Sequence, residues 1–246
     1  MQKYFKILLE FDHKLLKNSI EEAIRNKQKG YVCVVDANVL TVAQKNEHFL
    51  SILNHSLVNT CDGSSIATLA GIIHKKHLSA LNGPQIFNYF IEKNYSQLLL
   101  GSNEETSNKI KEKLRSKGFD DTNLHILPLP FNDVEGFDYA GIAAITNELK
   151  PQIIWVSLGA PKQEIFMSKL LPYIDSSVMI GIGAAFDFYI GKIALPKFRI
   201  GPLKFIWISR VLSEPSKQIS RIIPYIKILP SLYLQEKKWV RLNNQN

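Results

Sequence analysis

The sequence predicts an α/β fold: a Rossmann-like, mainly parallel sheet flanked by helices, with a basic, amphipathic helical C-terminal appendage. Three observations predict it. Short apolar, β-branched runs alternate with helix-period stretches from residue 6 to residue 190. The stretch 153–188 holds the pattern in full: strand, glycine turn, helix, strand, glycine turn. Beyond Ile190 the alternation stops, and prolines at 196, 202, 215, 224 and 230 interrupt a segment in which Ile and Leu interleave with Lys and Arg. These features divide the chain into a body, 1–195, and an appendage, 196–246.

Taken in order, 6–11 reads as a strand. Leu15, Leu16, Ser19, Ile20, Ala23 and Ile24 mark a helix ended by Lys29-Gly30. A buried strand, 31–35, delivers Asp36-Ala37-Asn38, and 39–45 and 47–53 are helical. The strand 57–60 ends in Cys61-Asp62-Gly63, and a helix over 66–74 follows. Helices at 84–92, 104–117 and 139–149 alternate with strands at 97–100 and 124–126. In the central stretch, Ile153-Ile154-Trp155-Val156 is a strand broken by Gly159-Ala160-Pro161, and Pro161 suits a first helical turn. Phe166, Leu170 and Leu171 carry that helix, Val178-Met179-Ile180 is the next strand, and Gly181-Ile182-Gly183 the next turn. Glycine turns at neighbouring parallel strand ends form a crevice suited to phosphate.

Composition narrows the class. Of 246 residues 46% are apolar and 21% charged, a globular balance, and no run of eighteen apolar residues offers a conventional membrane span. The start, MQKYFKILLEFDHK, lacks the apolar run and cleavage site of a signal peptide. Cys33 and Cys61 form neither a disulfide framework nor a metal pattern and read as reduced, cytosolic core residues. The net charge of +8 resides wholly in 196–246, which holds ten Lys and Arg against two Glu. Such asymmetry points to an anionic partner, and the basic amphipathic pattern suits a helix lying in a membrane interface. Interleaving with Ile and Leu, rather than with stacking aromatics and base readers, argues against nucleic acid.

The candidate chemistry sits at strand ends. Asp62 reads either as a turn-stabilising carboxylate or as a general base at the crevice mouth. Asn38 reads equally as a helix cap or a ligand contact. Gly181-Ile182-Gly183-Ala184-Ala185-Phe186 lacks the third glycine of a dinucleotide fingerprint, so a plain phosphate or sugar turn is preferred. Lys162 and Glu164 read as solvated, whereas Gln163 is able to reach a sugar or uracil edge. His74-Lys75-Lys76-His77 reads as a solvated helix end rather than a metal site. No Asp-x-Asp occurs, which favours a metal-free mode of holding a pyrophosphate.

Four blocks and a tail together resemble a known family. They are Ala37-Asn38 after a strand, Asp62-Gly63, the block from Leu158 through Gly159 to Glu164, and Gly181 to Phe188 with Gly191-Lys192. The tail carries Trp207, Arg210, Glu214-Pro215, Lys217 and Arg221. The chain is similar to the WecG/TagA/CpsF family of bacterial glycosyltransferases (glycosyltransferase family 26). The resemblance implies inverting, metal-independent transfer of a hexose from a UDP-sugar to a polyprenyl-diphosphate-linked sugar, without a cofactor, on the inner face of the cell membrane. The product would enter teichoic acid, capsule, exopolysaccharide or common antigen.

The family's proposed general base maps onto Asp62. Its sugar-contacting Asn and Gln map onto Asn38 and Gln163, and the basic residues closing over the diphosphate onto Arg210, Lys217 and Arg221. Asp36, Gly159, Gly183, Phe186 and Asp187 complete the expected substrate-binding set. Asp36, Ala80, Gln85 and Ser220 stand where the family pattern usually has other residues. Two further readings are a non-catalytic nucleotide-binding regulator and a nucleic-acid module, and a homo-oligomer is compatible with the tail packing in cis or in trans.

Overall fold

The computed structural model describes residues 1–193, 199–200, 203–204 and 215–243. In chain order the elements are β1 (Gln2–Tyr4), β2 (Ile7–Leu9), α1 (His13–Arg25), β3 (Gly30–Val35), α2 (Ala37–Ala43), α3 (Glu47–Asn54), β4 (Val58–Cys61) and α4 (Ser64–His74). Then come α5 (Gly83–Ile91), β5 (Gln97–Leu100), α6 (Glu104–Ser116), β6 (Leu124–Leu127), a 3-10 turn (Val134–Gly136), α7 (Tyr139–Leu149) and β7 (Ile153–Val156). The described chain ends with α8 (Lys162–Leu170), β8 (Val178–Gly181), α9 (Ala185–Tyr189), β9 (Arg199–Ile200), β10 (Leu203–Lys204) and α10 (Pro215–Asn243).

Six strands form one sheet in the order β4-β3-β8-β7-β5-β6, every neighbouring pair parallel. Two small antiparallel ladders, β1 with β2 and β9 with β10, lie outside it. The fold is therefore α/β, with the mainly parallel sheet that the alternation predicts. Both faces are covered, which is why the strands read as unbroken apolar runs. Along β3, Tyr31, Cys33 and Val35 enter one core with α2, α3, α4, α7 and α8, and Val32 and Val34 enter the other with α1, α5, α6 and α9. Short polar side chains start the helices. Asp12, Asn46, Asn103 and Asp138 each accept a backbone N–H of the first turn, as does Asn82 in a reciprocal capping box with Gln85.

The structure corrects several expectations. The segment 6–11 is not one strand but the second half of a hairpin whose turn, Phe5-Lys6, takes positive φ at both residues (52° and 68°). Two-residue hairpin turns of this hand normally need Asn or Gly. Here tertiary bonds hold them: Phe5 N–H donates to Glu236 Oε2 (2.8 Å), Phe5 C=O accepts from Gln44 Nε2 (2.8 Å), and Lys6 C=O from Asn54 Nδ2 (3.0 Å). Helix α1 stops at an Asn26 cap, and Gly30 opens β3 instead of ending the helix. Gly181 lies inside β8, so the turn begins at Ile182, and the short helix α9 follows it.

The largest correction concerns the tail. Pro224 and Pro230 do not break it, since α10 runs through both as one 29-residue helix. Proline removes one intrahelical bond and kinks a helix, but tertiary packing can outweigh that cost. Tyr225 and Leu232 are buried in the same core as α2 and α4, and Glu236 is buried beside the hairpin. Among the described residues no helix is long and apolar enough to cross a membrane. Phe205, Trp207, Ile208 and Arg210 lie outside the described residues.

Candidate active site

Adjacent parallel strands end on one edge, so the residues just beyond them meet there. Val35 of β3 is level with Cys61 of β4, and Gly181 of β8 is level with both Cys33 of β3 and Val156 of β7. The loops leaving β3, β4, β8 and β7 therefore carry Asp36 and Asn38, Asp62, Gly183, and Gly159 to the same edge. These segments are spread over more than a hundred residues of sequence.

The β3 loop is braced by its own cap. Asp36 accepts the Val39 N–H (2.8 Å), so the capping role open to Asn38 falls to Asp36. Asn38 is freed to donate from Nδ2 to the Ala160 carbonyl (3.3 Å), which ties this loop to the Gly159-Ala160-Pro161 loop. Asp62, half-buried, donates its N–H to Val35 C=O (3.0 Å), and the neighbouring Cys61 thiol donates to Gly63 C=O (3.3 Å). Burial, then the charge of Asp62 and less that of Asp36, pushes the Cys61 thiol up. Both carboxylates thus act on one buried point between the β3 and β4 ends.

Gly159 and Gly183 hold φ of +74° and +54°, a region that side chains rarely adopt, and a Cβ on either would meet nothing within 4 Å. The two turns combine a backbone that favours glycine with open space above it. Both peptide groups of Gly183 are held: its C=O accepts from Ser157 Oγ (2.7 Å) and its N–H donates to Gln163 Oε1 (3.0 Å). Gln163 is 3% exposed and also donates from Nε2 to Glu164 Oε1 (2.9 Å).

Glu164 is where the solvated reading fails. Its side chain is fully buried (0% exposed), with Oε2 lacking a hydrogen-bond partner among the described residues. Burial pushes its carboxyl up to about 7, against the hydrogen bond from Gln163, and the charge of Asp36 adds to the rise. The signal was helical spacing: Glu164 lies three residues before buried Met167 and so shares its face. Lys162 is half-buried as well, donating to Asn132 C=O with its ammonium over the Phe131 and Phe137 rings. Pro161 occupies the cap position of α8 rather than its first turn, after a cis peptide bond.

The remaining expected site residues are placed less directly. Phe186 is 2% exposed and packs edge-on against Phe87 in the core, with ring centres 5.1 Å apart. Asp187 is partly exposed and stands 3.5 Å from Lys192 Nζ. Arg210 lies outside the described residues, and Lys217 and Arg221 are described only as positions on α10, two turns and one turn before Tyr225. Tyr225 brings α10 to the site's flank, its hydroxyl 3.2 Å from Ser65 Oγ in the first turn after Asp62-Gly63. Gln85, one of the departures from the family pattern, serves the Asn82 capping box.

His74 is not part of a solvated helix end. Its side chain is 4% exposed, and Nε2 lies 2.7 Å from Glu236 Oε1 on α10. Sequence gave no signal for this pair, because its members stand 162 residues apart. Among the described residues no three His, Cys, Asp or Glu side chains group as metal ligands.

The arrangement offers a carboxylate at a strand end, two open glycine turns, of which Gly183 is bonded to Ser157 and Gln163 on either side of Gly159, and a flanking helix with basic positions. That set suits displacement at a phosphate-bearing substrate. The family model described as "Glycosyl transferase WecG/TagA/CpsF family" matches residues 8–245, nearly the whole chain. This chain belongs to the WecG/TagA/CpsF family of glycosyl transferases.

Proposed function

We propose that this glycosyltransferase moves a hexose from a UDP-sugar to a polyprenyl-diphosphate-linked sugar during cell-surface polysaccharide synthesis, with inversion and without a metal ion. The observation that carries the reading is the convergence of Asp62, Asn38, Gly159 and Gly183 on one sheet edge, with Asn38 bonded to the Gly159 loop and Gln163 to the Gly183 turn. The Rossmann-like reading of the sheet rests on the same edge, where nucleotides bind in parallel α/β folds.

In this mechanism the diphosphate lies across the two open turns. Asp62 takes the proton of the acceptor hydroxyl, whose oxygen attacks the anomeric carbon from the face opposite the leaving group. The new glycosidic bond forms as the bond from the anomeric carbon to the β-phosphate oxygen breaks. UDP departs, its charge stabilised by backbone N–H groups and by Arg210, Lys217 and Arg221. Asp36 and Asn38 shape the sugar side of the crevice, and Gln163, Phe186 and Asp187 shape the Gly183 side.

Residues 1–195 form the catalytic body in this reading, and 196–246 the membrane-facing segment. Ile223, Ile226, Leu234 and Leu242 are exposed on α10 beside exposed Lys227, Lys238 and Arg241, a surface that suits an anionic bilayer. The test is a UDP-release screen. A panel of UDP-sugars is presented with a short-chain polyprenyl-diphosphate-sugar, with and without chelator. Release that needs the acceptor and survives chelation supports the proposal; UDP binding with no release for any pair overturns it.

A further inference from the structure

The amide of Gln163 sits between two groups of opposite demand. Gly183 N–H needs an acceptor and receives Oε1 at 3.0 Å, while Glu164 Oε1 accepts from Nε2 at 2.9 Å. A glutamine amide is nearly symmetrical in shape, so its partners decide which end faces which way. Gly183 alone does not lock it, because a loosely held amide can turn away. The buried Glu164 carboxyl supplies the second point. It lies on the next residue of the same helix and is sealed from water.

The chain continues beyond Gln163. Ser157 holds the other peptide group of Gly183, so the turn is fixed from β7 on one side and from α8 on the other. The α8 side depends on a buried carboxyl whose remaining oxygen has no partner among the described residues. Leaving a buried polar atom unpaired is costly. A residue needed only for packing at that site would be served by an apolar side chain, so the carboxyl's bond to Gln163 is the feature that calls for explanation.

We propose that Glu164 is a positioning residue for the Gly183 turn: by orienting the Gln163 amide it fixes the Gly183 peptide against which the donor diphosphate rests. The diphosphate part of this statement rests on the function proposed above. Glu164 touches no substrate and acts through Gln163.

The test compares the full-length wild type with Glu164→Gln, Glu164→Ala and Gln163→Ala by two measurements. One is the backbone amide NMR resonance of Gly183, and the other is UDP affinity by calorimetry. Glu164→Gln keeps an acceptor for Gln163, so its Gly183 resonance stays close to wild type and its UDP affinity within about threefold. Both alanine variants shift the Gly183 resonance and weaken UDP binding about tenfold. Should Glu164→Ala not fold, Glu164→Leu fills the site without an acceptor and carries the same expectation.

A Gly183 resonance unmoved in the alanine or leucine variant overturns the relay, as does wild-type UDP affinity in that variant. A wild type that binds no UDP defeats the donor reading instead, and the Gly183 resonance then still decides whether Glu164 positions the turn.

Discussion

His74 and Glu236 meet 2.7 Å apart beneath the surface, and the second oxygen of Glu236 receives the N–H of Phe5. One carboxylate thereby joins α4, the β1–β2 turn and α10. Removing Glu236 takes away the partner of His74 Nε2 and the acceptor of the Phe5 N–H, and leaving a buried polar group unpaired costs about 1–3 kcal/mol. Glu236→Ala is expected to lower unfolding free energy by that amount. It should also speed hydrogen exchange in residues 2–9 and in α10 together. Exchange that changes in α10 alone would show that the hairpin does not depend on the pair.

Glu164 ties stability to pH. Its folded carboxyl titrates at about 7 against 4.5 for the ordinary group. The folded state therefore binds the extra proton between these values. Its contribution is fully present below about 4.5 and is lost as pH rises through about 7. Glu164→Gln removes the titration. Urea unfolding should show wild type losing stability relative to Glu164→Gln between pH 5 and pH 8, by on the order of 3 kcal/mol. A difference that stays constant across that range would mean the carboxyl does not titrate there.

Asp62→Asn is expected to lower kcat by about 10²–10⁴-fold with UDP affinity little changed, since a general base acts on the acceptor proton and not on the nucleotide. A variant within a few-fold of wild type would remove Asp62 from that role.

Gly183→Ala and Gly118→Ala form a matched pair. Both glycines have positive φ and open space around a built Cβ, but Gly118 follows α6 and precedes β6, on the opposite edge of the sheet. Each substitution should cost about 1–2 kcal/mol in stability. Only Gly183→Ala should weaken UDP binding, because only there does the new methyl enter the proposed cradle. Equal effects on UDP would place the nucleotide elsewhere.

Deleting 196–246 would remove Tyr225, Leu232 and Glu236 from the body along with any membrane contact, so exposed charges give the cleaner test. Changing Lys227, Lys238 and Arg241 together to Gln should weaken binding to anionic vesicles by about 3 kcal/mol, at about 1 kcal/mol each. Thermal stability should change little. Vesicle binding equal to wild type in a sedimentation assay would exclude this face of α10 from the contact.

Local pattern revealed what depends on local pattern. Strands 97–100 and 153–156 and helix 139–149 match to the residue, because their apolar runs and caps lie within the segment itself. The hairpin turn Phe5-Lys6 carries no Gly, Asn or Asp, since bonds from Gln44, Asn54 and Glu236 do the work that turn residues usually do. Helix α10 crosses two prolines because its buried side chains pack on distant elements. The edge holding Asp62 and Gly183 followed from strand–turn spacing. The burial of Glu164 and its bond from Gln163 did not, because a charged side chain opening a helix is ordinarily solvated.

The clasp between Phe5 and Glu236 also has a meaning in time. During synthesis the first hairpin emerges more than two hundred residues before the carboxylate that secures its turn. Until then two left-handed, non-glycine residues lack that bond, and the groove over α2 and α4 lacks α10. In a nascent chain the β1–β2 hairpin is therefore expected to stay open to chaperones and proteases until α10 has been made.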